Sequence, residues 1–170
     1  MADDLIKQAQ NGDTQAFSKL YESYVDRIYK YFFYKTKTIE EAQDLTSLVF
    51  EKALKNLRQF KKKVSFQAWL FTIARNSIYD YWRTKKKNLN LDQISQLPSK
   101  EDVLEKVIVK EEQTKVLSAL SKLNDEQKEV LILRFINNLN VREVAKIINK
   151  TEVNVRIIQH RALKSMRKLI

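Results

Sequence analysis

An all-α fold of two small helical domains is what this sequence predicts, and three observations carry the prediction. The 170 residues contain one Gly (Gly12) and one Pro (Pro98), whereas a sheet protein needs turn residues every ten positions or so. Apolar residues recur at three- and four-residue spacing through most of the chain, the period of a helix with one buried face. Over residues 88–100, NLNLDQISQLPSK, that period weakens and the single Pro appears. The chain therefore reads as a domain over 1–88, a linker over 89–106 and a second domain over 107–170.

Each element has its own signal. Thr14 to Tyr34 places Ala16, Phe17, Leu20, Tyr24, Ile28 and Tyr31 on one helical face. Thr38 and Glu41 have the spacing of a capping box, opening a second helix to about Leu57 that buries Ala42, Leu45, Val49 and Ala53. A third helix runs from Ser65 to about Lys87, and helix resumes from about Glu101 to Ser121. Three further starts are marked by Asn124 with Gln127, Asn140 with Glu143, and Thr151. Between Asn149 and the last helix only Lys150 and Thr151 remain for a turn. That short break fits a helix-turn-helix, with Ala145 small enough to let the two helices approach.

Composition removes several functions. Cysteine is absent, which excludes disulfides, thiolate zinc sites and a Cys nucleophile. His160 is the only histidine, and no Gly-rich phosphate loop is present, so no two-His metal site or nucleotide cradle is expected. His160 also has no acidic neighbour in sequence to orient it within a Ser-His-Asp arrangement. Glu40/Glu41 and Glu111/Glu112 read as solvated helix faces. No catalytic residue, metal or cofactor is expected, and the chain reads as a non-enzyme. The opening MADDLIKQAQ is acidic and lacks a long apolar run, and no apolar stretch approaches the roughly 18 residues that span a bilayer. A soluble, cytoplasmic protein with no membrane insertion is the expectation.

The net charge of +11 is unevenly placed. Residues 1–60 are neutral, 61–90 carry +7, 91–129 carry −3 and 130–170 carry +7. Two focused basic blocks point to two contacts with a polyanion. In the last helix Val155, Ile158, Ala162, Met166 and Leu169 form one stripe. The opposite face collects Arg156, Ile157, His160, Lys164, Arg167 and Lys168, with Arg161 at its edge. Core on one side and cations on the other suit a helix lying in a DNA groove, where Ile157 can meet a thymine methyl. In the other block, Phe66, Trp69, Leu70 and Ile73 read as core beside a polar stripe of Thr72, Asn76, Asp80 and Arg83. Arg75, Tyr79 and Trp82 lie on the outer side. Aromatic rings among cations serve either to stack unpaired bases or to complete a core, and the pattern alone leaves both open.

Three segments in order resemble a known family. EEAQDLTSLVFEKAL (Glu40–Leu54), FQAWLFTIARNSIYDYWR (Phe66–Arg83), and LNDEQKEVLILRF followed by LNVREVAKIINKTEVNVRIIQHRAL together resemble a bacterial RNA polymerase sigma factor of the extracytoplasmic-function (ECF) type. The likeness spans nearly the whole chain. It implies that Asp44, Leu45, Val49 and Phe50 contact the β′ clamp helices of core polymerase. It implies minus-ten promoter contacts from Lys61, Lys62, Lys63, Arg75, Asn76, Tyr79, Asp80, Trp82 and Arg83. Minus-thirty-five contacts are implied for Glu152, Asn154, Arg156, Ile157, His160, Arg161 and Lys164, and a contact of this domain with the β flap.

The chain departs from the family at several places. Ser47-Leu48 stands where the family carries Gln-Glu, Asn149 stands where the turn often has Gly, and Ile157-Ile158 replaces short polar residues. Asn is the next residue suited to a left-handed backbone, so the turn is expected to survive. The resemblance implies a sigma factor that recruits core polymerase to promoters, with strand opening by the first domain and duplex recognition by the second. It places the acidic segment 91–112 in the polymerase RNA path and leaves an anti-sigma protein open as a further partner. The rival reading is a stand-alone helix-turn-helix transcriptional regulator.

Overall fold

The computed structural model of the chain describes residues 2–89 and 111–170. Every regular element among them is helical, as expected, and the chain separates into two compact units, Met1–Tyr79 and Asp80–Ile170. The division falls inside the fourth helix, while the sequence reading ended its first domain at 88. The expected helix start at Glu101 lies outside the described residues. So does the linker over 89–106, apart from Leu89, and the acidic segment 91–112, apart from Glu111 and Glu112.

The first unit contains α1 (Ala2–Gln10), α2 (Thr14–Thr36), α3 (Ile39–Asn56) and the start of α4 (Phe66–Leu89). α1 carries no expected signal of its own, because it buries only Ile6 and Ala9. Two buried positions are too few to declare a helical period. α2 starts where Asp13 Oδ1 accepts hydrogen bonds from the backbone N–H of Gln15 (2.9 Å) and Ala16 (3.2 Å). It ends where Lys37 turns left-handed, φ 64°, and its N–H donates to the Phe33 carbonyl at 2.8 Å.

Ile28, Tyr31 and Phe32 of α2, Ala42 and Val49 of α3, and Leu70, Phe71, Ala74 and Ile78 of α4 are buried in the unit's core. Tyr31 and Phe71 pack edge to face at 5.8 Å. Each large apolar side chain buried here stabilises the unit by roughly 1.5–3 kcal/mol. Phe17 and Tyr24, expected on the α2 core face, are half-buried at its rim. α4 also differs from expectation. Phe66 and Leu70 are buried, but Trp69 and Ile73 are only half-buried, and Ala68, Phe71, Ala74, Ser77 and Ile78 complete the inner face. Ala68, Ala74 and Ser77 are small enough to let helix backbones approach, and a stripe drawn from large apolar residues overlooks them.

The capping box expected at Thr38 does not form. Thr38 is the N-cap of α3, yet its Oγ1 donates to Glu41 Oε2 at 2.8 Å and makes no bond to the helix backbone. Its own N–H donates to Thr36 Oγ1 at 3.4 Å, so a nearer hydroxyl takes the place of the Glu41 carboxylate.

In the second unit α5 (Glu111–Ser121), α6 (Asp125–Leu131), α7 (Val141–Ile147) and α8 (Glu152–Arg167) surround Val130, Ile132, Leu133, Leu139, Val144, Val155 and Ala162. The three expected N-caps are made. Asn124 Oδ1 accepts from Gln127 N–H at 2.8 Å, and Thr151 Oγ1 accepts from Asn154 N–H at 3.2 Å. Asn140 and Glu143 form a reciprocal capping box, with bonds of 2.9 and 3.1 Å. α6 passes into a π-turn over Ile132–Ile136, closed by Asn137 N–H on the Ile132 carbonyl at 3.0 Å.

Candidate polymerase and nucleic-acid interfaces

The α7–α8 pair has the geometry of a helix-turn-helix. α7 ends at Ile147, two residues before the expected limit, because Asn149 is left-handed (φ 55°) and belongs to the turn. Lys150 N–H donates to the Ala145 carbonyl (2.9 Å) and Asn149 N–H to the Lys146 carbonyl (3.4 Å). These are the two bonds of a Schellman turn, which satisfies the last carbonyls of α7. Lys150 Nζ also pairs with Glu126 of α6 at 2.7 Å. α8 is then fixed by Val155 and Ala162 in the core and by Gln159 Oε1, which accepts from Arg134 Nε at 2.9 Å.

With that face held, the opposite face of α8 is open. Glu152, Asn154, Arg156, Ile157, His160, Arg161 and Lys164 are all exposed on it or at its edges. Arg156 Nη2 lies 3.4 Å from Glu152 Oε2, a solvent-exposed pair that contributes little to stability but aligns the guanidinium along the helix. Farther along, His160, Leu163, Lys164 and Arg167 line a concavity of about 370 Å³. Val153 went unremarked in the sequence, although it stands four residues before Ile157 on this face and is 63% exposed.

The α4 face is built differently. Lys61, Lys62 and Lys63 are exposed in the loop before it. Lys62 Nζ pairs with Asp3 of α1 at 2.6 Å, a hydrogen bond and charge contact that holds the Asp3 carboxyl below its usual pKa. Gln10, the last residue of α1, donates through Nε2 to the carbonyls of Leu57 and Phe60, both at 3.0 Å. The Phe60 ring packs on Phe66 (5.7 Å) and Trp69 (5.1 Å). The lysine loop is thus pinned by α1 at its entrance and by Ser65 at its exit, where Ser65 Oγ accepts from Ala68 N–H at 3.2 Å.

Along α4, Asn76, Asp80 and Arg83 are exposed, while Arg75, Tyr79 and Trp82 are half-buried. The Arg75 guanidinium lies 4.8 Å from the centre of the Tyr79 ring, and buried Lys35 of α2 lies 5.2 Å from the same ring. Arg75 Nε is enclosed without a hydrogen-bond partner. Asp80 and Arg83 pair at 2.8 Å. The structure therefore joins Arg75 to Tyr79 and Asp80 to Arg83. It also adds Lys35 and Gln10, which sit too far away in sequence for local periodicity to find.

On α3 the implied polymerase residues divide. Asp44 is exposed, but Leu45, Val49 and Phe50 are buried in the unit's own core, Phe50 edge-on to Tyr21 at 4.7 Å. The helical period turns Leu45 and Val49 inward, and their burial follows that period. The outward stripe of α3 is Glu40, Asp44, Ser47, Leu48 and Glu51. Hydrogen bonding and charge from Lys55, 2.7 Å away, lower the Glu51 pKa.

Among the described residues no cluster of three or more His, Cys, Asp or Glu is placed to hold a metal ion. None of their helices is long and apolar enough to cross a membrane.

Comparison with known proteins agrees with this geometry. Residues 20–88 match the family Sigma-70 region 2, and residues 119–168 match Sigma-70, region 4. The chain is 32% identical to the ECF RNA polymerase sigma factor BldN of Streptomyces coelicolor, over 98% of this chain and 65% of that protein. It is 30% identical to the ECF RNA polymerase sigma factor SigX of Bacillus subtilis, over 91% of this chain and 83% of the relative. Its fold is similar to that of CnrH, solved with the cytosolic domain of CnrY, at a TM-score of 0.77 and 22% identity over 99% and 97% of the two chains. With both sigma-70 regions present in order and the Bacillus relative aligned along most of its length, the chain belongs to the ECF RNA polymerase sigma factors, the family that binds core polymerase and directs promoter-specific transcription initiation.

Proposed function

We propose that the two exposed cationic faces divide promoter recognition between them, with residues 1–88 opening the duplex and residues 107–170 reading it upstream. The observation that carries this reading is α8, locked by its core stripe and capped at both sides of a Schellman turn, with its cations all on the open face. Such a helix enters a major groove without rearrangement. Arg156, near the N-terminal end, reads a base edge, while Lys164, Arg167 and Lys168 hold phosphates. Glu152, Asn154, His160 and Arg161 border the same groove.

At α4 and the loop before it, Lys61, Lys62 and Lys63 draw the separated strand by charge. Asn76 supplies amide hydrogen bonds to a base edge, Arg75 and Arg83 extend the track, and Tyr79 and Trp82 offer ring surface beside it. Catching an unpaired base offsets the few kcal/mol of unstacking that opening costs. Asp80 positions Arg83 through their ion pair.

Core polymerase docks on the outward stripe of α3 through Asp44, with Leu48 as its apolar neighbour, at the β′ clamp helices. The second unit meets the β flap. The protein acts in the cytoplasm as an initiation factor and catalyses no covalent step of its own. An anti-sigma protein is a further partner, the kind of protein with which the sigma factor RpoE of Bartonella quintana was crystallised.

Transcription from purified core and a matched promoter tests the reading. The chain should confer specific initiation, and Asp44→Lys should remove core binding while leaving helicity intact. A stand-alone regulator would bind the duplex yet support no initiation, and that result would end the proposal. If Asp44→Lys competes for core at the wild-type concentration, the docking contact lies elsewhere.

A further inference from the structure

The open face of α8 carries more than cations. Val153 is 63% exposed and Ile157 is 43% exposed, and they stand one helical turn apart in the N-terminal half of the helix. Neither contributes to the core, which takes Val155 and Ala162 from the opposite side. Two exposed β-branched side chains, flanked by Arg156, His160, Arg161 and Lys164, are out of place on a face whose only partner is water or phosphate.

We infer that Val153 and Ile157 are specificity-determining residues that read the 5-methyl groups of thymines in the upstream duplex. This rests on the reading of α8 as the groove-docked helix. The surrounding charge favours DNA as the occupant, because Arg156, Arg161 and Lys164 meet phosphates on either side of a groove while the apolar pair faces the base edges between them. Within the major groove the thymine methyl is the one apolar group that a base pair offers, and no other base carries it. Four residues of helix advance about 6 Å, and two base-pair steps about 6.8 Å. The two side chains therefore match methyls about two base-pair steps apart, with one pair between them. Arg156 lies between them in sequence and reads the intervening pair. The recognised element accordingly holds two thymines, on either strand, flanking a base with acceptor groups.

Removing a methyl without altering any hydrogen bond isolates the contact, and deoxyuridine in place of thymidine does that. Upstream elements are first selected from a randomised duplex with holoenzyme assembled from core polymerase and the full chain. Each thymidine of the selected element is then replaced singly by deoxyuridine. Wild-type holoenzyme should lose about fourfold in affinity at two positions, the value of one buried methyl. Val153→Ala should erase the loss at one of them and Ile157→Ala at the other, while Arg156→Ala leaves both. All three side chains are exposed, and alanine favours helix, so the variants keep the fold. Equal uracil penalties in wild type and both alanine variants would overturn the inference, as would full affinity with deoxyuridine at every position. If wild-type holoenzyme shows no upstream preference at all, the groove-docking reading itself fails and takes this inference with it.

Discussion

The two basic faces carry the same charge and are made by different means. On α8 the working residues follow from the period of one helix: a cap at Thr151, a core stripe behind, and exposed side chains in front. On α4 the working residues depend on three other helices. Gln10 of α1 holds the loop, Lys35 of α2 supports Tyr79, and Ser77 accepts from Lys52 of α3 at 3.1 Å. The difference matches the two ligands proposed for them. A duplex is already rigid, so a straight helix is enough to meet it. A separated strand has no shape of its own, and the protein has to supply one through tertiary contacts.

That contrast is broken most directly by damaging the support beneath α4. Phe71 is fully buried and touches Tyr31 and Arg27. Phe71→Ala should lower the unfolding free energy of the first unit by about 3–5 kcal/mol and abolish promoter opening. Exposed Lys164→Ala should change stability by no more than about 0.5 kcal/mol. Urea unfolding and an opening assay with the same preparations measure both. Normal opening by a destabilised Phe71→Ala protein would show that the α4 face does not need its scaffold.

The α8 face is sharpened by separating readers from holders. Arg156→Ala should cost roughly 1–3 kcal/mol of binding and relax preference at one base pair, whereas Lys164→Ala should weaken every sequence alike and flatten the salt dependence by about one phosphate contact. Affinity measured for single-base variants of the upstream element at two salt concentrations distinguishes them. Uniform weakening by Arg156→Ala would reassign it to the phosphates.

The same contrast explains what the sequence made legible. The caps at Asn124, Asn140 and Thr151 join residues three apart, so local pattern was sufficient. The α8 face is legible because a helix announces its own period, and Val153, four residues from Ile157, joins it only once its exposure is seen. Thr38 failed because Thr36, two residues upstream, competes for the same N–H. Phe50 enters as a polymerase contact through family resemblance alone, and no local spacing announces its packing against Tyr21. The supports of α4 were out of reach for a more general reason. Gln10 bonds to residues 47 and 50 positions away, and nothing in a single chain's spacing encodes a contact of that range.

Gln10 is therefore the next test of how far the loop depends on α1. Two hydrogen bonds to partly buried carbonyls are lost in Gln10→Ala, a change of about 1 kcal/mol once solvent replaces them in part. Opening of duplex promoter should fall with core binding unchanged, and a pre-melted bubble should restore much of the activity. Asp3 adds to the same tether through Lys62. Its carboxyl is held ionised below its ordinary pKa, so this contribution is present at neutral pH and disappears as pH falls through the lowered value. Wild-type opening by Gln10→Ala would leave α1 without a part in placing the loop.

The smallest effect is expected where the two units differ in their turns. Four described residues have positive φ, and one of them is Gly12. The second unit uses Asn138 and Asn149 (both φ 55°), whose short side chains tolerate the left-handed region, while the first unit uses Lys37 (φ 64°). A left-handed backbone costs an ordinary L-residue about 1–2 kcal/mol, and glycine removes that strain. Glycine also frees the unfolded chain, which takes back about 0.5–1 kcal/mol. Lys37→Gly should therefore stabilise the first unit by about 0.5 kcal/mol. Asn149→Gly, starting from a residue already suited to the turn, should change the second unit by no more than a few tenths of a kcal/mol. Paired urea titrations of the two variants resolve the difference. A stability loss in Lys37→Gly would mean that the lysine side chain contributes more to the end of α2 than its backbone strain costs.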